Sequence, residues 1–302
     1  MVFKLEIILG KTAGFCYGVK NAVLNAEEKL KKYKEIDSLG ELVHNGQVIK
    51  RLENIGLKII DNINEGSKRV IIRAHGVSKE IYDYAKKNHI KLFDFTCPKV
   101  LNIHKIAEKY AKNGYFIFLF GGKKHPESIG TISFCGNNCA LIEEESEIIE
   151  AVEKLRKSKI KKLLIIVQTT FNLQKFNHYT EQIEFMVPKD IEIEIKNTIC
   201  NATKLRQEET NEISKNVDCM IIIGGKNSSN TKKLYDISSH NCKNTFLIET
   251  KEELDIDYIC NYEKIGIMAG ASTPKESIDD VIGLIEEKSK ILLVWKIIGK
   301  IW

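Results

Sequence analysis

The sequence predicts an α/β fold with parallel sheets, organised as three α/β domains. Apolar runs short enough for strands alternate along the chain with segments whose apolar residues recur at helical spacing, which is typical of parallel-sheet proteins. This architecture recurs in each third of the chain without residue-level repetition. At 302 residues the chain also exceeds what one simple core holds, which favours two or three domains.

The run Tyr115–Phe120 is the clearest strand. Its six apolar residues are expected for a strand that is buried on both faces. Gly121-Gly122 then permits a sharp turn, and His125-Pro126-Glu127 follows. Because ligands bind at the carboxyl ends of strands in open α/β sheets, His125 and Glu127 are candidates for acid–base chemistry. A solvated loop remains the other interpretation of this segment taken alone.

The first third of the chain contains further strands and helices by the same criteria. Each predicted strand ends just before a polar residue that a site could use, namely His44, His75 or Cys97. Pro98 ends the last of these strands, because proline cannot continue a central ladder. The predicted strands are 1–11, the piece before His44, Arg69–Ile72 and Leu92–Phe95, and the predicted helices are Tyr17–Tyr33, Ile49–Asn54 and Ser78–Asn88.

The remaining two thirds repeat this alternation. Strands are predicted at Leu163–Val167, Cys219–Ile223 and Lys264–Met268, and helices at Val100–Lys112, Ser146–Leu155 and Thr203–Ser214. Gln168-Thr169-Thr170 follows the first of these strands, and Ser228-Ser229-Asn230 and Ser272 follow the other two, each just before a predicted helix. Helix N-termini bind anions, so these hydroxyls and amides suit a phosphate group; plain N-capping is the alternative.

Composition and charge favour an ordinary cytoplasmic protein. The chain is 43% hydrophobic and 29% charged, with a net charge of +5. Its basic runs have helical spacing, so they are interpreted as solvated helix faces and no nucleic-acid partner is expected. The N-terminus lacks a signal-peptide pattern, and no apolar stretch approaches the roughly 20 residues that a membrane span needs. In the cytosol cysteines stay reduced.

Eight cysteines therefore need another explanation than disulfides. Cys16, Cys97 and Cys200 each lie at the start of one structural third, which suits a site assembled between domains, although buried structural cysteines are the alternative. The other five are interpreted as structural: Cys135, Cys139, Cys219, Cys242 and Cys260. A metal site at Cys135 and Cys139 is the less favoured interpretation of that spacing.

Nine short motifs resemble one family in order. They are Gly14-Phe15-Cys16-x-Gly18-Val19, Val43-His44-Asn45, Ala74-His75-Gly76-Val77, Asp94-x-Thr96-Cys97-Pro98, His125-Pro126-Glu127, Gln168-Thr169-Thr170, Cys200-x-Ala202-Thr203-x-x-Arg206-Gln207, Ser228-Ser229-Asn230 and Ala269-Gly270-Ala271-Ser272. Together they resemble the 4-hydroxy-3-methylbut-2-enyl diphosphate reductases, the LytB/IspH family, over about residues 4–288. That family catalyses the last step of the methylerythritol phosphate route to isoprenoids.

The resemblance implies a fold and a cofactor. Family members are trefoils of three α/β domains with pseudo-threefold symmetry around a central [4Fe-4S] cluster, which is held by three cysteines and leaves one iron open. The matching ligands here are Cys16, Cys97 and Cys200. We place the domains at 17–97, 98–197 and 198–290, the last including the N-terminal strand segment 1–16.

The resemblance also implies a reaction. The hydroxyl of (E)-4-hydroxy-3-methylbut-2-enyl diphosphate is removed as water with two electrons and two protons, giving isopentenyl and dimethylallyl diphosphate. Glu127 is the implied proton donor. The electrons would come from an electron-donor protein such as a ferredoxin or flavodoxin. The implied contacts to the substrate and its diphosphate are His44, His75, His125, Thr169, Ser228, Ser229, Asn230 and Ser272.

Two other functions stay open on the sequence. A quinolinate-synthase-like dehydratase also uses three cysteines, but Glu127 beside His125 and the Ser-Ser-Asn segment argue against it. An iron–sulfur redox sensor would need the ligands but no polar pocket of diphosphate size. The apolar tail Ile291–Trp302 has no counterpart in the family, and we expect it to dock on the core, with interfacial membrane contact as an alternative.

Overall fold

A computed structural model describes residues 5–298 of the chain, with side chains described up to Ile291. The described residues contain twelve β-strands, each of four to six residues. They are β1 (Glu6–Leu9), β2 (Ile36–Leu39), β3 (Leu57–Ile60), β4 (Arg69–Ile72), β5 (Lys91–Asp94), β6 (Phe116–Phe120), β7 (Cys139–Ile142), β8 (Lys162–Val167), β9 (Glu192–Ile195), β10 (Cys219–Ile223), β11 (Thr245–Ile248) and β12 (Lys264–Ala269).

Eleven α-helices connect these strands within the described residues, together with three short 3₁₀ turns. The helices are α1 (Tyr17–Tyr33), α2 (Gly46–Glu53), α3 (Lys79–Lys87), α4 (Pro98–Lys112), α5 (Pro126–Ile132), α6 (Ile148–Ser158), α7 (Leu173–Met186), α8 (Asn201–Ile213), α9 (Ser229–Asn241), α10 (Ile256–Ile259) and α11 (Lys275–Ile298).

The strands form three four-stranded sheets in which every described pairing is parallel. The strand orders are β3-β2-β4-β5, β7-β6-β8-β9 and β11-β10-β12-β1. In the first two of these sheets the chain runs from an inner strand to one edge and then returns to fill the other side. The third sheet has the same spatial order, but its second edge is the N-terminal strand β1. Each sheet therefore has a switch point between its two inner strands, where open α/β sheets bind ligands.

Helices cover the sheets because parallel strands bury both faces. In the sheet of β6–β9, Phe118 and Phe120 on β6 pack into one apolar cluster with residues of α6 and α7. Ile117 and Leu119, which point to the opposite face, pack with Ile103 of α4. The alternation of one strand's side chains between two helical layers accounts for its uninterrupted apolar sequence.

The α/β class with parallel sheets is confirmed, and the differences from the sequence predictions have physical reasons. The inner strands β4, β6, β8, β10 and β12 were predicted because they are apolar over most of their length. The strand predicted just before His44 lies earlier in the chain, as β2, where Asp37 and Ser38 interrupt the apolar pattern. The edge strands β3, β7, β9 and β11 carry polar or partly exposed residues and were not predicted. His125-Pro126-Glu127 is not a loop: Pro126 begins α5 and His125 is its N-cap. Likewise Ser229 and Asn230 lie in the first turn of α9, not before it.

The chain divides into two compact units. The first consists, within the described residues, of 5–16, 44–48 and 201–298, and it contains the sheet of β1 and β10–β12. The second consists of Tyr17–Val43 and Ile49–Cys200 and contains the other two sheets. Each of the three predicted domain ranges thus holds one sheet, and the division into three domains stays a prediction.

The C-terminal end of the chain is helical further than the sequence suggested. Helix α11 continues through the start of the apolar tail to Ile298. The predicted docking of the tail falls on side chains that lie outside the described residues, as does the structure of residues 299–302. Among the described helices, none has the length and apolar character to cross a bilayer.

Candidate functional site

The buried carboxyl of Glu127 lies at the carboxyl edge of the sheet formed by β6–β9. It is 2% exposed and sits in the first turn of α5. Both of its oxygens accept hydrogen bonds from Thr169, which follows β8: the backbone N–H donates to Oε1 and the hydroxyl to Oε2, each at 2.6 Å. The inner strands β6 and β8 thus bring together a carboxyl and a hydroxyl that are 42 residues apart in sequence.

Burial and hydrogen bonding act on the Glu127 carboxyl in opposite directions. Removal from water favours the neutral form, whereas the two bonds from Thr169 favour the anion. Burial is the larger effect and raises the pKa of Glu127 to about 7. A carboxyl with a pKa in this range can hold a proton at neutral pH and release it during a reaction.

The loop between β6 and α5 is held by the side chain of Gln168. Its Oε1 accepts from the backbone N–H of Gly122 at 3.0 Å and from the hydroxyl of Ser128 at 3.2 Å. Its Nε2 donates to Thr170 Oγ1 at 2.7 Å. Gly121 has no room for a side chain, because a Cβ there would lie 2.3 Å from Ser128 Oγ. The loop that precedes Glu127 is therefore fixed from β8.

Two histidines lie close together in the second unit. His125 Nδ1 accepts from the backbone N–H of Glu127 at 3.2 Å, so Nε2 is the donor nitrogen of the neutral ring. The rings of His75 and His125 meet edge to face with centroids 5.4 Å apart. Gly76 has φ +74°, and a Cβ there would lie 2.9 Å from His104, so the turn after His75 requires glycine.

Three cysteines have the same position in the three sheets. Cys16, Cys97 and Cys200 follow β1, β5 and β9, the fourth strand of each sheet, and each directly precedes a helix: α1, α4 or α8. Each is partly exposed and takes part in no disulfide. The backbone N–H of each donates to a loop carbonyl of its own unit: Cys16 to Ala271, Cys97 to Ala74 and Cys200 to Thr169.

These thiols fit an iron–sulfur cluster by their chemistry and surroundings. Thiolates are the preferred ligands of such clusters, and negative charge is stabilised at a helix N-terminus, where Cys97 is the N-cap of α4. The space beside the Cys97 sulfur is kept open by Gly18, where a Cβ would lie 2.6 Å from Sγ. Any larger residue at this position would crowd the ligand.

The first turn of α9 is the candidate anion site in the first unit. Ser228 is the N-cap, and its hydroxyl accepts from the backbone N–H of Thr231 at 3.3 Å. Asn230 is 2% exposed, yet neither its Nδ2 nor its Oδ1 has a hydrogen-bond partner among the described residues. A buried amide without partners costs about 1–3 kcal/mol, so Asn230 is placed for a ligand that would satisfy it.

A second part of this site joins the segment at His44 to the loop after β12. The Ser272 hydroxyl donates to the backbone oxygen of His44 at 3.0 Å. Gly225 permits this approach, because a Cβ there would lie 2.4 Å from the same oxygen. Asn45 caps α2, accepting from the backbone N–H of Val48 at 3.1 Å. Within the first unit His44, Ser272 and the loop before α9 are thus neighbours.

Two residues that the sequence analysis gave no role support the loop before Cys16. Arg206 on α8 is 3% exposed and donates through Nε to the backbone oxygen of Thr12 at 2.9 Å and through Nη2 to that of Gly14 at 2.8 Å. Glu209 accepts from the backbone N–H groups of Lys11 and Thr12 at 2.7 and 2.8 Å. The sequence signal for the role of Arg206 was its place in the motif that begins at Cys200.

The predicted site residues therefore fall into two groups, one in each compact unit. Glu127, Thr169, His75, His125, Cys97 and Cys200 belong to the second unit, and Ser228, Ser229, Asn230, Ser272, His44 and Cys16 to the first. Each group lies at the carboxyl ends of parallel strands or at the helix starts that follow them. The fold and the candidate site thus define an α/β protein whose candidate functional groups lie at the carboxyl ends of its parallel strands.

Comparison with known proteins identifies the family. A model of the LytB protein family matches residues 7–286. The 4-hydroxy-3-methylbut-2-enyl diphosphate reductases of Caldanaerobacter subterraneus and Clostridioides difficile are each 40% identical to this chain, over 93% of its length and 97% and 99% of theirs. The chain belongs to the LytB family.

Solved structures agree with this assignment. A structure described as (E)-4-hydroxy-3-methyl-but-2-enyl diphosphate reductase, the terminal enzyme of the non-mevalonate pathway, is 40% identical over 94% of this chain and 99% of that chain, with a TM-score of 0.67. The corresponding reductase from Plasmodium falciparum is 31% identical over 93% of this chain and 88% of that chain, with a TM-score of 0.83.

Proposed function

We propose that this protein is a 4-hydroxy-3-methylbut-2-enyl diphosphate reductase. The substrate loses its allylic hydroxyl as water, with uptake of two electrons and two protons, to give isopentenyl and dimethylallyl diphosphate. The observation that carries the proposal is the buried Glu127 carboxyl with its raised pKa, bonded to Thr169 at the switch point of a sheet in a LytB-family chain.

The chemistry needs an acid because hydroxide is a poor leaving group. Glu127 holds the proton on a carboxyl oxygen that faces the Thr169 hydroxyl. A hydroxyl both donates and accepts, so Thr169 can accept the proton of neutral Glu127 and pass its own proton on. Burial excludes bulk water from this pair, which keeps the proton where the leaving group needs it.

The diphosphate is assigned to the helix starts and the histidines. Ser228, Ser229 and Asn230 in the first turn of α9, together with Ser272 before α11, offer hydroxyls, an amide and helix N-termini to an anion. His44, His75 and His125 add ring nitrogens, which need not be charged to donate a hydrogen bond.

The proposal assigns Cys16, Cys97 and Cys200 as the ligands of a [4Fe-4S] cluster with one open iron. When bound, the cluster supplies the electrons and a Lewis acid for the hydroxyl oxygen. The electrons would come from a donor protein such as a ferredoxin or flavodoxin. Cysteine ligands outside disulfides require a reducing compartment, so we place the protein in the cytoplasm. The pseudo-threefold arrangement of three domains around the cluster is part of this proposal.

The test is an anaerobic assay of the purified holoenzyme with a reduced one-electron donor and the hydroxylated allylic diphosphate. We expect isopentenyl and dimethylallyl diphosphate by mass spectrometry, and no turnover of the unphosphorylated alcohol at the same concentration. Protein that contains the cluster but neither binds nor turns over the diphosphate would contradict the proposal and favour an iron–sulfur redox sensor.

A further inference from the structure

Cys135 and Cys139 form a pair of thiols apart from the proposed site. Cys135 follows α5, and Cys139 is the first residue of β7. Their side chains are hydrogen-bonded to each other. The Cys135 sulfur also lies 3.4 Å from the backbone oxygen of Thr131, and the Cys139 sulfur lies 3.2 Å from that of Gly136. A three-residue turn thus holds two sulfurs at hydrogen-bond distance.

The two thiols differ in their access to solvent. Cys139 is partly exposed and lines a cavity of about 250 Å³ together with the ion pairs Lys123–Glu147 and Lys154–Glu150. Cys135 is 1% exposed and packs in the apolar cluster that contains Ile117 and Leu119. A small solute that enters the cavity therefore meets Cys139 first and reaches Cys135 only through it.

The hydrogen bond also divides the two thiols by acidity. The bond from Cys135 lowers the pKa of the Cys139 thiol, although its burial acts in the opposite direction. The same bond and burial raise the pKa of Cys135 well above its usual range. Cys139, which is also the more exposed of the two, is thus the thiol that loses its proton more readily, and the deprotonated form is the one that reacts with oxidants.

We propose that Cys135 and Cys139 are a peroxide-reactive pair that closes an intramolecular disulfide in the folded protein. The Cys139 thiol gives up its proton and its sulfur attacks a hydroperoxide such as hydrogen peroxide, which breaks the O–O bond; one oxygen stays on sulfur as a sulfenic acid, and the other takes up the proton and leaves as water. The Cys135 thiol then displaces the hydroxyl of the sulfenic acid as a second water and forms the S–S bond. In sum, two thiols and one hydrogen peroxide give one disulfide and two waters.

The chain provides a matched pair for comparison. Cys219 and Cys242 are also close enough to interact, but they are 0% and 6% exposed, and neither lines the cavity beside Cys139. Burial raises the pKa of Cys219 to about 12. In the folded protein this pair should stay reduced under conditions that oxidise Cys139.

The experiment exposes anaerobically purified holoenzyme to a small excess of hydrogen peroxide. Alkylation and peptide mass spectrometry then report each cysteine separately, so any release of Cys16, Cys97 or Cys200 from a cluster does not interfere. We expect a Cys135–Cys139 cross-link, two hydrogens lighter than the dithiol and reversible by dithiothreitol, before any Cys219–Cys242 cross-link appears.

Two variants test the order of the steps. Cys135→Ser should leave Cys139 without a resolving thiol, so that sulfenic and sulfinic acids accumulate there. Cys139→Ser should leave Cys135 reduced, because the cavity no longer offers a thiolate. Cys260→Ser, which removes another partly exposed cysteine, is the control and should not change the cross-link.

Native protein without the cross-link would overturn the proposal, and so would equal rates for the two cysteine pairs. Neither outcome depends on a variant that folds. Turnover of the allylic diphosphate does not enter the test, so failure here leaves the proposed function untouched.

Discussion

At the scale of single residues, Glu127 shows how one buried side chain combines two opposing effects. Its hydrogen bonds from Thr169 favour a carboxylate, but burial outweighs them and raises its pKa to about 7. The proton-donor role predicts that the acid form, not the shape of the side chain, matters for turnover.

Glu127→Gln keeps the shape and removes the acid. General acid catalysis contributes roughly 10² to 10⁴ in rate, so kcat should fall by about that factor while diphosphate binding and the cluster spectrum persist. Single-turnover kinetics and absorption spectra measure both. Glu150→Gln, at a carboxyl exposed on α6, is the control. A kcat for Glu127→Gln within about tenfold of native would mean that Glu127 only orients its neighbours.

The pH dependence of turnover follows from the same raised pKa. An acid with a pKa of about 7 is protonated below this pH and loses its proton above it, so kcat should fall with rising pH through about 7 and by about tenfold per further unit. This fall of kcat with pH should be missing in Glu127→Gln, because the variant lacks the titrating carboxyl. If the variant kept the same pH dependence of kcat, the titrating group would be another residue.

At the scale of secondary-structure elements, the first turn of α9 is arranged at a cost to the free protein. The Asn230 side chain is buried, but its amide has no hydrogen-bond partner among the described residues, so its burial lowers the stability of the ligand-free protein. A bound ligand would satisfy this amide. N-capping does not account for Asn230, because Ser228 is the N-cap of α9.

Asn230→Ala should weaken diphosphate binding about tenfold or more without lowering the free energy of unfolding by more than about 1 kcal/mol, since the Asn230 amide has no hydrogen-bond partner among the described residues. Calorimetric titration and chemical denaturation measure the two quantities. Ser239→Ala, near the other end of α9, is the control. Equal affinity of Asn230→Ala and native protein for the diphosphate would remove Asn230 from the site.

Helix α8 has a supporting role through Arg206. Its guanidinium holds two backbone oxygens of the loop that leads to Cys16. Arg206→Lys keeps the charge but loses the planar pair of donors, so Cys16 should be held less firmly. We expect a severalfold faster loss of iron to a chelator at temperatures where far-UV circular dichroism is unchanged.

Lys204→Gln, at an exposed position of the same helix, should lose iron at the native rate. If Arg206→Lys also kept the native rate, the bonds to the loop would serve folding alone.

At the scale of the whole molecule, one topology occurs three times. In each sheet the edge strand that pairs with the second inner strand is followed in the chain by a cysteine that directly precedes a helix. Cys16 completes the series only because the N-terminal strand β1 pairs with β12, some 250 residues later in the chain. This repetition supports the proposal that three cysteines hold the cluster.

Serine at Cys16, Cys97 or Cys200 should remove most of the iron, because an alkoxide is a poor ligand for a soft-metal cluster. Serine at Cys135, Cys219 or Cys242 should leave the iron content at the native level, since these thiols are buried in apolar clusters. Iron per chain, measured on anaerobically prepared protein, checks all six. Equal iron in the two sets would show that the ligands are assigned wrongly.

The sequence alone was enough for the fold class, five of the six inner strands and the family. Those five strands are apolar on both faces, so their pattern does not depend on which helix covers them, and ordered motifs are visible without coordinates. The sixth, β2, contains Asp37 and Ser38 and lacks that pattern. Edge strands such as β9, with the sequence Glu192-Ile193-Glu194-Ile195, and the short helix α5 gave no such signal, because their neighbours in space decide their structure.

Tertiary structure alone decided the properties that depend on distant partners. The raised pKa of Glu127 requires burial beside Thr169, the support of the Cys16 loop requires Arg206 from about 190 residues away, and the thiol pair at Cys139 requires a cavity on one side and a core on the other. Residue type sets which chemistry is available. Desolvation and hydrogen-bond geometry set which form is present, and both arise only when the chain has folded.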